Sequence, residues 1–191
     1  MSLLTACQAA VNETGIGTAP ATIIGNTDPA AVQLLTLAKR TALSLMGFQW
    51  QAMIREQTIT TVASTETYAL PSDWDRYISE TAWDATSYWQ MRGQLTPQMW
   101  QAYKRGIVTL VTARKMFRLR GNLVYIIPTP TSVESLILEY VRNTPWTDSA
   151  GVTYRTAPTA DTDIPVFPAL GRRITEEATE RPSIYEKPAA G

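Results

Sequence analysis

Apolar residues recur at helical spacing from Asp28 to Glu56. Leu35, Ala38, Ala42, Leu45 and Met46 form one stripe, which Trp50, Met53 and Ile54 extend. Asp28-Pro29 opens this run: the carboxylate caps free N–H groups, and proline in the first turn lacks a donor that no helix would use there. No proline and a single glycine, Gly47, interrupt it before Glu56, so the pattern predicts one long helix, about 40 Å at 1.5 Å per residue. A shorter amphipathic helix is expected over residues 2–12, with Leu3, Leu4, Cys7, Ala10 and Val11 near one face; Gly15, Gly17 and Pro20 end it.

After Gln57 the period falls to two. Thr58–Val62 and Thr67–Leu70 read as short strands, joined by Ala63-Ser64-Thr65-Glu66 as a hairpin loop. Trp74 to Met91 is aromatic-rich and in part strand. Thr96-Pro97 repeats the cap-then-proline signal and predicts a helix over 97–105, stopped by Gly106. Phe117 to Ile126 alternates around Gly121-Asn122, which suits a two-residue turn. That register sets Leu119 against Val124, Phe117 against Ile126, and Arg118 opposite Tyr125. Leu136 to Val141 supplies another strand, and five of the twelve prolines fall in the last 34 residues, the mark of an extended arm. The expected fold class is α+β, in three segments: an N-terminal helical layer with a long helix (1–57), a small antiparallel β subdomain with one inserted helix (58–156), and an extended, proline-rich C-terminal arm (157–191).

Length and composition narrow the function more than the fold. A chain of 191 residues, 45% hydrophobic and 18% charged, is long enough for one packed domain with arms. It contains no histidine, which removes the commonest general base and every Ser-His or Cys-His arrangement. Cys7 is the only cysteine, so neither an internal disulfide nor a cysteine zinc site can form. No apolar run reaches the roughly 18 residues of a membrane span. The first residues lack a basic segment and a sustained apolar one, so no signal peptide and no membrane partner are expected.

The net charge of zero hides a segregated chain. Residues 57–84 carry net −4, residues 85–133 hold seven cations and no acid, and residues 134–191 carry net −3. Such strips suit charge pairing within a fold or between copies better than they suit nucleic acid.

Candidate chemistry is sparse. Asp73/Asp75 and Asp161/Asp163 are the tightest carboxylate pairs, and turn capping explains them better than a divalent cation. Glu80 with Asp84 could be read as the acid/base pair of a cell-wall hydrolase, yet rim charges are the commoner explanation. Gly15-Ile16-Gly17 lacks the strand and third glycine of a dinucleotide loop. No Ser-x-x-Lys occurs. No cofactor and no catalytic residue is expected. Seven of the seventeen aromatics lie between Trp74 and Tyr103, which suits a small aromatic core, then protein contact, with base stacking behind.

Several segments, in order, resemble one family. They are Ile24-Gly25-Asn26-Thr27-Asp28-Pro29, Tyr68 to Ile78 with Leu70-Pro71-Ser72-Asp73-Trp74 at its centre, Trp83-Asp84-Ala85-Thr86, Gly93 to Gln101, Phe117 to Asn122, and Leu138-Glu139-Tyr140-Val141. This succession is similar to head-to-tail adaptor (connector) proteins of tailed bacteriophages over about residues 2–167. It departs afterwards, where Pro165, Pro168 and Gly171 interrupt the long helix usual in that family. The resemblance implies a structural virion protein at the head–tail junction, assembled in the host cytoplasm. It implies a ring, usually of twelve copies, beneath the portal, with a docking face for the next tail or nozzle protein and an axial channel for double-stranded DNA in passage. On that reading Arg114, Lys115, Arg118 and Arg120 face an acidic neighbour or the DNA channel, the neighbour preferred. Pro145 and Trp146, expected in a loop between strand and arm, are docking candidates. The alternative is a nucleic-acid-binding module using the basic 85–133 segment.

Overall fold

The computed structural model describes residues 1–15, 18–106, 114–167 and 173–174. It is α+β. The described helices are α1 (Leu3–Thr14), α2 (Pro29–Leu45) and α3 (Pro97–Lys104). Five strands precede α3: β1 (Ile54–Thr60), β2 (Thr67–Ala69), β3 (Trp74–Tyr77), β4 (Trp83–Asp84) and β5 (Trp89–Gln90). Six follow it: β6 (Met116–Arg120), β7 (Leu123–Ile127), β8 (Ser135–Arg142), β9 (Trp146–Thr147), β10 (Tyr154–Arg155) and β11 (Ile164–Pro165). Contacts gather these into two units, residues 1–53 with 143–191, and residues 54–142.

In the first unit, α1 is capped by the Ser2 side chain and ends on Gly15, whose φ of 67° is the left-handed conformation a glycine adopts without cost. Leu3, Ala6, Cys7, Ala10 and Val11 are buried, much as the stripe predicts, while Leu4 is only half-buried. Burial first, and the Asp161 charge second, push the Cys7 thiol up to about 11.

α2 starts as expected, with Asp28 accepting from the Ala30 amide and Pro29 in the first turn. It does not run to Glu56. The helix ends at Leu45, whose carbonyl accepts the Phe48 amide and, at 2.8 Å, the Trp50 indole N–H, and Gly47 turns the chain. Residues 54–56, assigned to the helix by their spacing, are the start of β1. They pair with β8, Ile54 opposite Val141 and Glu56 opposite Glu139. Partners more than eighty residues away override a local periodicity.

The expected arm also differs from the structure over its described part. β9 is the middle of a three-stranded sheet between β10 and β11, and Phe167 and Ile174 are buried. Residues 161–163 close the start of α1. The carbonyls of Asp163 and Asp161 accept the Leu3 and Leu4 amides, two donors that no helix can satisfy internally. One Asp161 carboxylate oxygen accepts the Ile23 and Ile24 amides at 3.0 and 2.8 Å. Proline content alone predicts an arm; these side-chain and backbone acceptors turn its beginning into core. Residues 168–172 and 175–191 lie outside the described residues.

The second unit is two antiparallel sheets. The first runs β1-β8-β4-β5, with β3 also on β8; the second runs β2-β7-β6. Ile59, Leu136 and Leu138 from the inner face of the first share one core with Phe117, Val124 and Ile126 from the second. The β6–β7 hairpin has the predicted register, turning at Gly121 with φ 58°. Residues 58–70 do not form a hairpin. β1 pairs with β8 and β2 with β7, so the two strands lie in different sheets. The connection folds around the Tyr68 hydroxyl, which accepts from the Val62 amide and donates to the Thr65 carbonyl. α3 forms as predicted, Thr96 capping it, and Trp100 meets Tyr125 edge-on at 5.9 Å.

Replacing Asp161 by alanine leaves the Ile23 and Ile24 amides without their acceptor. We expect a loss of about 2 kcal/mol, the cost of orphaned donors, read as a lower urea midpoint at unchanged slope.

Candidate assembly interface

A buried ion cluster organises the second unit. Asp84 lies on β4 opposite Leu136, facing inward. Lys115 immediately precedes β6 and Glu134 immediately precedes β8. The Lys115 ammonium donates to Asp84 Oδ2 at 2.8 Å and also contacts the Glu134 carboxylate. Asp84 Oδ1 accepts the Thr86 and Ser87 amides at 3.0 and 3.1 Å, fixing the turn that leads to β5. Asp84 and Lys115 are 3% and 8% exposed, so the pair is out of bulk water. Burial by itself would raise the Asp84 carboxyl, but the Lys115 ammonium and the two amides outweigh it and hold the pKa below the ordinary value. Burial would lower Lys115, yet its two carboxylate partners outweigh that and hold it above the ordinary value.

The cluster carries an exposed aromatic tip. Trp83 lies on the opposite side of β4 from Asp84, with Tyr88 and Trp89 beyond the turn; they are 46%, 85% and 45% exposed. Tyr88 has a φ of 56°, left-handed backbone that an aromatic residue seldom adopts, held here by the Asp84-bonded turn beside it. The Arg114 guanidinium sits 4.7 Å from the Trp89 ring centre. A cation–π contact at the surface and aromatic side chains on a pinned turn are the anchor type found at protein interfaces.

The structure sorts the predicted residues. Arg114 and Arg120 are exposed and Arg118 is half-buried; Arg118 and Arg120 share the outer face of the second sheet with Tyr125 and Leu123. Lys115 is corrected to a structural cation, its charge consumed inside the unit. Pro145 and Trp146 are also core rather than surface. Trp146 is 1% exposed at the centre of the β9 sheet, and the Pro145 carbonyl accepts the Val166 amide. A Trp-Pro pair beside a turn reads as a docking loop, but two flanking strands enclose it.

Carboxylates singled out as possible ligands have other work. Asp73 accepts from the Tyr140 hydroxyl at 2.9 Å, and Asp75 pairs with Arg76. Asp163 accepts the Thr159 and Ala160 amides and pairs with Arg155. Among the described residues no three His, Cys, Asp or Glu side chains gather as a metal site would require. Asp84, half of the acid/base pair considered with Glu80, has both oxygens occupied. The aromatic run divides between core and surface: Trp74 stacks on Tyr140 at 5.0 Å and Tyr77 meets Phe117 edge-on at 5.2 Å. Glu134 was not singled out from sequence, although it is the first acid after the acid-free 85–133 stretch and so the nearest counter-charge along the chain.

A family model described as SU10 adaptor protein matches residues 1–179. No curated protein gives a significant match. Among the described residues no helix is long and apolar enough to cross a membrane.

Lys115→Met strands the buried Asp84 carboxylate and the half-buried Glu134 carboxylate, and removing one partner of a buried cluster costs about 3–5 kcal/mol. Urea unfolding should register that loss. The pH dependence follows from the two directions. Asp84 is held low, so its contribution is whole above about pH 4 and is lost as pH falls through the folded value. Lys115 is held high, so its contribution is whole below about pH 10 and is lost as pH rises through the folded value. Stability lost on Lys115→Met should therefore be constant between those limits and shrink outside them.

Proposed function

The chain belongs to the SU10 adaptor protein family, a head-to-tail adaptor family of tailed phages, and from that membership we propose that it joins portal to tail as a ring of copies, usually twelve, around a channel that DNA crosses. The match over residues 1–179 carries this reading. On it the protein resides in the virion at the head–tail junction after assembly in the host cytoplasm, and works by stoichiometric, non-catalytic binding to itself, to the portal and to the next tail or nozzle protein.

The arrangement of the second unit supports it. A passive coupling piece needs rigid surfaces and complementary sides, because closed rings are built from one contact repeated head-to-tail. The Asp84–Lys115–Glu134 cluster holds the exposed aromatic turn rigid. Arg114, Arg118 and Arg120 remain as contact residues for an acidic neighbour; Pro145, Trp146 and Lys115 do not. The competing reading, a nucleic-acid-binding module, also draws on those exposed arginines, and the ligand separates the two: such a module binds duplex DNA without portal particles or a second copy. On that competing reading the isolated chain would bind duplex DNA with an affinity that falls steeply with salt, because each phosphate it neutralises releases counterions.

Purified chain mixed with portal particles should give rings of uniform mass, about twelve copies per portal, by native mass spectrometry or particle imaging. A chain that stays monomeric beside portal particles and is missing from purified virions would sink the proposal.

A further inference from the structure

The two sheets of residues 54–142 pack through their inner faces, so their outer faces point in opposite directions. Those faces differ in charge. On the outer face of the first sheet, Glu56 of β1 and Glu139 of β8 are directly opposite in the register. Like charges at opposed positions, with Cβ atoms about 5 Å apart, oppose strand pairing. Neither carboxylate has an ion-pair or hydrogen-bond partner among the described residues. Trp83 belongs to the same face, paired through Ile137, and is 46% exposed. Arg76 of β3, opposite Val141, also lies on this face, but its charge is met by Asp75 at 2.7 Å, which leaves the two glutamates as the face's unmet charges among the described residues. The outer face of the second sheet has the opposite character. Trp100 of α3 covers Tyr125 on this face and Arg118 opposite it is half-buried; Arg120 is exposed, with Leu123 opposite it 37% exposed, and neither arginine is in an ion pair among the described residues.

An acidic face with an aromatic beside it and, behind it, a basic face with an apolar residue beside it are complementary between molecules and cannot meet within one. We propose that the partner of each face is a second copy of this chain: Glu56, Glu139 and Trp83 of one copy receive Arg118, Arg120 and Leu123 of the next. The contact is heterologous, so every copy keeps one free face of each sign and the association propagates until it closes. Bringing two arginines onto two carboxylates also removes the Glu56–Glu139 repulsion that each free copy carries, which makes the acidic face more favourable bound than free. This inference rests on the adaptor reading and assigns the surfaces through which its ring forms.

Charge reversal of the full-length chain tests it. Glu56→Lys with Glu139→Lys, and separately Arg118→Glu with Arg120→Glu, should each weaken self-association more than about tenfold. The readout is sedimentation over a concentration series, with and without portal particles, and circular dichroism confirms folding. Both double variants keep every buried group and should fold. Combining all four substitutions restores opposite signs across the contact and should recover the oligomer. Wild-type association should weaken with added salt. Either double variant assembling as wild type does, or the fourfold variant remaining a folded monomer, overturns the inference while leaving the adaptor reading intact. Loss of duplex-DNA binding without loss of self-association in Arg118→Glu with Arg120→Glu also overturns it and gives that face to DNA. A wild-type chain that never self-associates, even beside portal particles, overturns the adaptor reading itself.

Discussion

Lys115 in contact with Asp84 and Glu134 is the constraint on which residues 54–142 depend. Its three members come from positions 84, 115 and 134, far apart in sequence, and the ammonium lies only 2.8 Å from Asp84. Taking such charges out of water is expensive, and an apolar substitute of the same shape is often no less stable. The value of the cluster lies in what it forbids. Were β4 to slip by one residue against β8, Asp84 would exchange faces with Trp83. The lysine would then be buried beside an indole, and the carboxylate would leave the amides that shape the turn. The cluster thus specifies register where the strand itself is too short to do so, since β4 is only two residues long.

That specification reaches the surface. A hairpin of two-residue strands is marginal alone, and exposed Trp83, Tyr88 and Trp89 on such a hairpin would ordinarily lose much of their contact energy to ordering. Here the Asp84 carboxylate bonds both turn amides, and Arg114 braces the Trp89 ring. The ordering is done on folding, so association need not supply it. A coupling piece that must repeat one contact around a ring benefits from sides that arrive already shaped.

What the sequence disclosed follows the range of the deciding interaction. The Asp28-Pro29 start, the Thr96-Pro97 start and the Gly121-Asn122 turn each depend on neighbours a few residues away, and each forms as read. The long helix ends locally, at the Trp50-bonded Leu45 carbonyl and Gly47, but the strand that follows depended on Val141 and Glu139, which take Ile54 and Glu56 into a sheet, and nothing near residue 50 announces them. The hairpin expected at 58–70 failed for the same reason: β8, eight residues long, is a better partner for β1 than three-residue β2. At the carboxyl end, proline spacing described the backbone correctly as non-helical around 158–165 but was silent on burial, which the Asp161 and Asp163 acceptors decide. Of the candidate contact residues, the surface arginines were legible as an acid-free run. Burial of Lys115 and Trp146 was not, because each is enclosed by segments distant in sequence.

The acid-free run itself divides by residue type. Its two lysines are both neutralised within the unit, Lys104 by Glu66 and Lys115 by Asp84 and Glu134. Its five arginines, at 92, 105, 114, 118 and 120, form no ion pair among the described residues, and Arg114 lies instead over an indole. The division suits the chemistry of the two cations. An ammonium is a compact point charge that several carboxylates can surround, as Asp84 and Glu134 do. A guanidinium is planar and weakly hydrated, stacks on aromatic rings, binds carboxylates through two parallel N–H groups, and loses less on leaving water. Arginine is for that reason enriched where proteins meet, and lysine depleted. Net charge on residues 85–133 describes a basic segment; the residue types describe one whose lysines are already spent on the fold and whose arginines face outward, in the form best suited to carboxylates presented by another surface.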